Sequence, residues 1–139
     1  YIFYNDTEIS KSVISVDVLP LDEVVSGMHV PEAIKIDVEG FESHVIAGGR
    51  ATLNCSGLNV VIMELRGHGF KYGVDELEID KYMRELGFNS YSYNPIHRTI
   101  DTYSPENQIL GDMLYIRDVD KARSRIAKCT KLKINGKLL

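Results

Sequence analysis

The stretch EAIKIDVEGFESHVIAGGR, residues 32–50, decides the fold. Apolar and polar residues alternate over residues 33–38 with the period of two that predicts a strand. After Gly40 the apolar residues recur at helical spacing, so the chain turns from strand to helix at Glu39 and Gly40. A strand that leads directly into a helix is half of a βαβ unit, and it predicts a parallel sheet in an α/β domain.

The flanking sequence predicts further strands and helices around this unit. Residues 12–19 alternate like a half-buried strand, and the helix after Gly40 contains Gly48 and Gly49, which weaken it and let it pack closely on the sheet. The nearly continuous apolar run 58–65 predicts a strand buried on both faces, and the glycine-rich run 66–73 predicts a mobile surface loop.

The carboxyl-terminal half predicts one strong helix and three strands. Asp75 is suited to cap a helix whose apolar stripe includes Leu77, and Gly87 is suited to end it. Strands are expected at residues 88–93, 96–103 and 113–116. Residues 1–120 are therefore expected to form one α/β unit, and residues 121–139 a basic tail.

Composition bounds the class of protein. A chain of 139 residues supports one domain or part of one. The net charge of -4 and the pI near 5.5 argue against nucleic acid as the main partner. Apolar runs are too short for a membrane span and no signal peptide is evident, so the expected compartment is the cytosol. Because the sequence starts at Tyr1 without a methionine, we expect a segment of a longer polypeptide.

The cysteines have one reading, and the basic residues near the carboxyl terminus have two. Cys55 and Cys129 show no metal-ligand spacing, so free thiols and no metal site are expected. The basic residues beyond Asp120 suit a solvated helix or chain terminus, and the alternative is a surface for an anionic partner.

Four polar side chains lie where ligands bind in such sheets, outside the carboxyl ends of the strands. Asp37 and Glu39 follow the first strand, Glu64 ends the second, and His68 lies in the loop after it. Several carboxylates at a buried sheet end require a cation, a backbone donor or a ligand. A purely structural reading is also open, in which Asp37 and Glu39 cap the next helix and pair with Lys35 or Arg50, and His68 is simply solvated.

The same residues carry a family resemblance. The run IKIDVEGFESHVIAGGRATL resembles the signature of the FkbM-type methyltransferases, and VISVDVLPLDEVV upstream is similar to the strand and Leu-Asp element before it. Downstream, VVIMELR, LGFNSY and MLYIRD are similar to the later strands. The resemblance covers roughly residues 13–118.

The resemblance implies a class I, Rossmann-like methyltransferase fold, a three-layer sandwich whose mixed sheet has parallel strands and an antiparallel closing strand. It implies S-adenosylmethionine as cofactor and O-methylation of a small-molecule or carbohydrate hydroxyl. Carried across, Asp37 and Glu39 would lie near the methionine end of the cofactor and the acceptor hydroxyl. Glu64 and His68 would line the acceptor side. All four are thus candidate catalytic residues, and Asp37 and Glu39 are also candidate cofactor-binding residues.

The family's cofactor-binding glycine-rich turn and acidic strand end have no counterpart in this sequence. The chain therefore corresponds to the carboxyl-terminal half of the domain and is expected to be inactive by itself. The exposed edge of strand 33–38 would be covered by an amino-terminal half, by another copy in a homo-oligomer, or by residues 12–19. The alternative function is a noncatalytic α/β module that uses this edge and the basic tail for assembly or binding.

Overall fold

The protein is described from a computed structural model, which covers residues 15–104 and 111–131 and the backbone of 133–134 and 137–138. The helices are α1 (Leu21–Val25), α2 (Glu42–Ala47), α3 (Arg50–Asn54), α4 (Glu76–Glu85) and α5 (Val119–Lys128), with a 3-10 helix at His68–Tyr72. The strands are β1 (Ala33–Ile36), β2 (Val60–Leu65), β3 (Asn89–Asn94), β4 (Thr99–Thr102), β5 (Gly111–Ile116), β6 (Lys133–Ile134) and β7 (Lys137–Leu138).

The main sheet has five strands in the order β1-β2-β5-β3-β4. β1 and β2 are parallel, whereas β5 is antiparallel to both β2 and β3, and β3 and β4 form an antiparallel hairpin. β6 and β7 form a separate two-stranded sheet. The expected α/β class and mixed sheet are confirmed; the Rossmann-like layering of a whole domain stays a prediction.

Two hydrophobic clusters lie on opposite faces of the main sheet, because alternate residues of a strand point to opposite sides. Tyr115 of β5 belongs to the larger cluster, together with Met83 of α4 and Leu53 of α3. Its neighbour Ile116 belongs to the smaller cluster, together with Ala122 of α5. The basic segment thus begins as a helix that packs on the sheet through its apolar side.

The strand expected at residues 12–19 is wrong for the part that the structure describes, since residues 15–20 form neither strand nor helix. Residues 12–14 lie outside the described part of the chain. Val16 and Val18 are 71% and 81% exposed. Alternation alone creates no strand without a neighbour to pair with, so residues 15–19 do not cover the edge of β1.

The helix after Gly40 is broken into α2 and α3 at Gly48 and Gly49, and these glycines pack on α1 instead of on the sheet. A Cβ on Gly48 would lie 3.2 Å from Cα of Pro20, and one on Gly49 would lie 2.7 Å from Cδ2 of Leu21. The Asp22 carboxylate accepts bonds of 3.0 and 2.8 Å from two backbone N–H groups in the first turn of α3. The Leu-Asp element, Leu21 and Asp22, therefore contacts and stabilises the chain where α2 ends and α3 begins.

Three smaller expectations are also corrected. β2 is buried at Val61, Met63 and Leu65, and its alternate residues are half-buried, so the strand is not buried on both faces. Leu77 of α4 is 38% exposed and leaves the apolar stripe, whereas Asp75 caps this helix as expected through a 2.9 Å bond from the Leu77 N–H. The loop 66–73 contains regular structure, the 3-10 helix.

Arg117, directly after β5, ties several chain segments together. Its guanidinium lies 4.1 Å from the centre of the Phe88 ring. It also donates hydrogen bonds to four backbone carbonyls, those of Leu53, Cys55, Leu58 and Leu86. These carbonyls lie at the carboxyl end of α3, just before β2 and at the carboxyl end of α4. One side chain therefore satisfies backbone polar groups that would otherwise be unpaired.

We expect Arg117→Lys to destabilise the protein by about 2 to 3 kcal/mol, because a single ammonium cannot reach four carbonyls in fork geometry. The measurement is urea unfolding followed by circular dichroism. Arg50→Lys, an exchange at an exposed position of α3, is the matched control and should leave the midpoint unchanged. Equal midpoints for both variants would show that Arg117 contributes nothing special.

Candidate active site

The parallel register of β1 and β2 brings two candidate residues together. Ile36 is paired with Met63, and the next residue on each strand is Asp37 and Glu64. Residues at the same level of adjacent parallel strands point to the same face, so the two carboxyls are neighbours. Carboxylate oxygens of Asp37, Glu39 and Glu64 all lie within 4.8 Å of one another. We call this group, with His68, the acidic corner.

The turn after β1 has a backbone geometry that explains its sequence. Glu39 has φ +54° and Gly40 has φ +103°, both in the left-handed region. A Cβ on Gly40 would lie 2.6 Å from the carbonyl oxygen of His68, closer than any side chain tolerates. Only glycine fits there, because the turn after β1 touches the loop after β2. This close approach places Glu39 beside His68, whose Nδ1 lies 2.9 Å from the Glu39 carboxylate.

Two buried glutamates hold the two loops of the acidic corner. Glu42 is 2% exposed, and its carboxylate accepts 3.2 Å hydrogen bonds from the N–H groups of Val38 and Gly40. Glu76 is 8% exposed, and its carboxylate accepts bonds of 2.8 and 3.5 Å from the N–H groups of Gly67 and Gly69. Each bond satisfies a loop N–H group that has no partner within a helix or sheet. Glu42 therefore fixes the turn of Glu39, and Glu76 fixes the loop of His68.

Cationic side chains face the acidic corner from both strands. Lys35 Nζ lies 2.5 Å from the Asp37 carboxylate, and Arg66 Nε lies 2.6 Å from that of Glu64. The side chain of Glu39 is nevertheless 70% exposed and that of Asp37 is 36% exposed. The corner is therefore partly neutralised but remains open to a ligand.

The carboxyls of the corner titrate differently from free acids. The hydrogen bond from Lys35, and after it one shared with Glu64, lowers the pKa of Asp37 below its usual value. The hydrogen bond shared with Asp37, and after it burial, raises the pKa of Glu64. As the pH rises, Asp37 therefore ionises first and Glu64 retains its proton longer.

This difference predicts opposite pH dependences for two variants. A lowered folded-state pKa gives stability that is present above the unfolded pKa and lost as the pH falls through the folded one. A raised pKa gives stability that is present below the unfolded pKa and lost as the pH rises through the folded one. Relative to wild type, Glu64→Gln should therefore gain stability as the pH rises from 4 to 7, whereas Asp37→Asn should lose stability at lower pH, as the pH rises toward about 4.

Urea unfolding at a series of pH values measures how the free energy of unfolding of each variant changes with pH. Comparing slopes removes the constant cost of disturbing Lys35 or Arg66. Parallel curves for wild type and Glu64→Gln would show that the Glu64 carboxyl is not perturbed.

The four site residues predicted from the sequence lie together in the structure. The sequence does not predict the residues that hold them in position, Glu42 and Glu76. The sequence indicates for Glu42 only an acidic residue in the first turn of a helix, and for Glu76 only its position directly after Asp75. The capping reading of Asp37 and Glu39 is not supported, because the N–H groups of the turn donate to Glu42; the pairing of Asp37 with Lys35 is confirmed.

The acidic corner lies at the carboxyl edge of two parallel strands, which is where ligands bind in open α/β sheets. A sequence model of the methyltransferase FkbM domain matches residues 4–90, more than half of the chain. The chain belongs to this family, and the match includes the whole acidic corner. No curated protein and no solved structure matches the chain significantly.

Family membership identifies a methyltransferase in general terms, and the family implies a cofactor of the S-adenosylmethionine type. Within the part of the chain that the structure describes, no helix is long and apolar enough to cross a membrane. The carboxylates of Asp37, Glu39 and Glu64 are close enough to share one cation. Because Lys35 and Arg66 already neutralise two of them, we assign no metal to this group.

Proposed function

We propose that the protein is an S-adenosylmethionine-dependent O-methyltransferase that acts on a hydroxyl group of a small molecule or a sugar. The observation that carries the proposal is the convergence of Asp37, Glu39, Glu64 and His68 at one edge of the sheet in a chain of this family. Ligands of open α/β sheets bind at this edge.

The carboxylates of the acidic corner fit the positively charged end of the cofactor. S-adenosylmethionine supplies a methyl group on a positively charged sulfonium next to an ammonium group. The exposed carboxylates of Asp37 and Glu39 would hold these positive charges, and the bond from Lys35 keeps Asp37 ionised over most of the pH range. The described residues suggest no binding groups for the rest of the cofactor, in line with the expectation that this chain is the carboxyl-terminal half of the domain.

The pair formed by His68 and Glu39 suits the acceptor side. A neutral imidazole can accept the proton of a hydroxyl group, and the carboxylate 2.9 Å from its other nitrogen orients the ring. The Glu64 carboxylate, paired with Arg66 at 2.6 Å, can also accept a hydrogen bond from a hydroxyl group of the acceptor.

The noncatalytic alternative rests on one edge of the main sheet. Among the described strands, β1 pairs only with β2, which leaves its other edge free for another chain. The basic tail supports this alternative less well, since Lys121 and Arg125 pair with Glu32 at 2.7 and 2.5 Å and Arg123 donates to the Ile100 carbonyl. We therefore keep assembly through the β1 edge as the second candidate.

The test is transfer of a radiolabelled methyl group from S-adenosylmethionine to a panel of hydroxyl compounds by the intact protein. O-methylation predicts a product that survives mild alkali, as an ether does, together with one S-adenosylhomocysteine per methyl transferred. Labelled methyl esters or methylamines would contradict hydroxyl specificity. Assembly through the β1 edge with no transfer to any acceptor would favour the noncatalytic module.

A further inference from the structure

Three aromatic rings join the two loops beside the acidic corner. The rings of Phe41 and His44, one turn apart at the start of α2, are stacked with their centres 3.9 Å apart and their planes at 3°. Tyr72, the last residue of the 3-10 helix, meets the Phe41 ring edge to face at 5.6 Å and 77°, and the His44 ring at 6.2 Å and 74°. We call these three rings the aromatic cluster. Edge-to-face contacts at such distances are favourable, so the cluster attracts the loop after β2 to the start of α2.

The 3-10 helix connects the position of Tyr72 to that of His68, because these residues are its two ends. Backbone N–H groups donate within the segment, from Phe70 to the Gly67 carbonyl at 3.4 Å and from Gly73 to the Phe70 carbonyl at 3.1 Å. Gly67 and Gly73, which flank the helix, have φ +77° and +71°, and a Cβ on either would meet no atom within 4 Å. The helix can therefore pivot at these glycines as one unit, so a contact that fixes Tyr72 also fixes His68.

The contact between His68 and Glu39 needs such support. The two side chains are 39% and 70% exposed, and an exposed pair of this kind contributes little to holding two segments together. Glu76 fixes the amino-terminal end of the helix, but its carboxylate joins the helix to α4 and not to the turn after β1. Tyr72 is 41% exposed, so more than half of its surface is covered. The aromatic cluster is therefore an apolar contact that keeps His68 at the turn of Glu39.

We propose that Tyr72, through the aromatic cluster, is a positioning residue for methyl transfer that keeps His68 beside Glu39. The inference rests on the proposed function, in which His68 accepts the proton of the acceptor hydroxyl. A base accelerates the reaction only within hydrogen-bond reach of that proton, and a displacement of about 1 Å slows the reaction strongly. Tyr72 makes its contacts in the cluster with its ring, so its hydroxyl group is not needed for this role.

The kinetic test compares wild type, Tyr72→Ala and Tyr72→Phe in the intact protein, with the hydroxyl acceptor that wild type methylates fastest. Tyr72→Ala should lower kcat about 10-fold, the size expected when two aromatic contacts are lost. The KM for S-adenosylmethionine should stay within about twofold, because Asp37 faces the cofactor and lies outside the 3-10 helix. Tyr72→Phe keeps the ring and should restore the wild-type kcat. Tyr93→Ala is the matched control, since it removes a tyrosine of similar exposure, 43%, from β3.

Nuclear Overhauser spectroscopy measures the position of the helix without turnover. A Cβ on Gly40 would lie 3.1 Å from Cβ of His68, so the α-protons of Gly40 and the β-protons of His68 are close enough for a cross-peak. This cross-peak should weaken in Tyr72→Ala and persist in Tyr72→Phe and Tyr93→Ala. The double variant Phe41→Leu with Tyr72→Ala should lose less kcat than the product of the two single losses, because both changes remove the same contact.

Three outcomes would overturn the inference and leave the methyltransferase function standing. The cross-peak could persist unchanged in Tyr72→Ala, or it could weaken while kcat stays at the wild-type value. Equal losses of kcat in Tyr72→Ala and Tyr72→Phe would show that the hydroxyl group acts instead of the ring. If Tyr72→Ala does not fold, Tyr72→Leu, which keeps an apolar side chain without the ring, should give the same loss. If wild type methylates no acceptor at all, the proposed function fails and this inference fails with it.

Discussion

Asp37→Asn should lower kcat/KM for methyl transfer by about 100-fold or more while the protein stays folded. The amide keeps the size of the side chain but removes the charge that faces the cofactor and the acceptor. The pair of Asp37 with Lys35 is largely solvent-exposed, and such pairs contribute little to stability. Activity should therefore fall far more than the free energy of unfolding.

Asp101→Asn is the matched control for this prediction. Asp101 is exposed on β4, and among the described residues its carboxylate accepts a single side-chain hydrogen bond, of 3.1 Å from the Thr99 hydroxyl, so Asp101→Asn should behave like wild type. Calorimetry with S-adenosylmethionine then separates two effects of Asp37→Asn. Weaker binding would show that the carboxylate holds the cofactor, whereas unchanged binding with slow transfer would place it on the acceptor. Wild-type turnover in Asp37→Asn would remove this residue from the site.

The sequence predicts the centre of this fold well because the signal is local. Alternation before Asp37, helical spacing after Gly40 and the apolar run before Glu64 each lie within a few residues, and they correctly predict β1, β2 and the turn between strand and helix. Two parallel strands that both end in acids place those acids together whatever the rest of the domain does. That is why Asp37 and Glu64 could be found without coordinates.

The sequence does not predict features that depend on distant contacts. Glu76 reaches back to a loop nine residues earlier, and Arg117 bonds to carbonyls about 60 residues before it. Neither has a periodic pattern, because one side chain is enough for each role. Residues 15–19 show the opposite case. Their alternation predicts a strand, but they form none because no neighbouring strand pairs with them.

Glu42 shows how a residue that touches no ligand can control this site. It is nearly fully buried, and one carboxylate oxygen accepts both N–H groups that flank Glu39. Without that acceptor, Glu39 would have to hold its φ of +54° unaided, which a residue with a side chain does at a cost of about 1 kcal/mol or more. The turn would then relax and move Glu39 away from His68.

We therefore expect Glu42→Ala to lower the free energy of unfolding by about 2 to 4 kcal/mol, since two loop N–H groups lose their acceptor. At a temperature where it is still folded, methyl transfer should fall by about 100-fold, as misplacement of a reacting group does. Glu42→Gln keeps a carbonyl oxygen that can accept the same two bonds, so it should recover much of both losses. Glu85→Ala, at an exposed position of α4, controls for removing a glutamate and should change neither quantity. If Glu42→Ala and Glu42→Gln were equally impaired, the buried charge itself would matter more than the two hydrogen bonds, and the positioning role would be wrong.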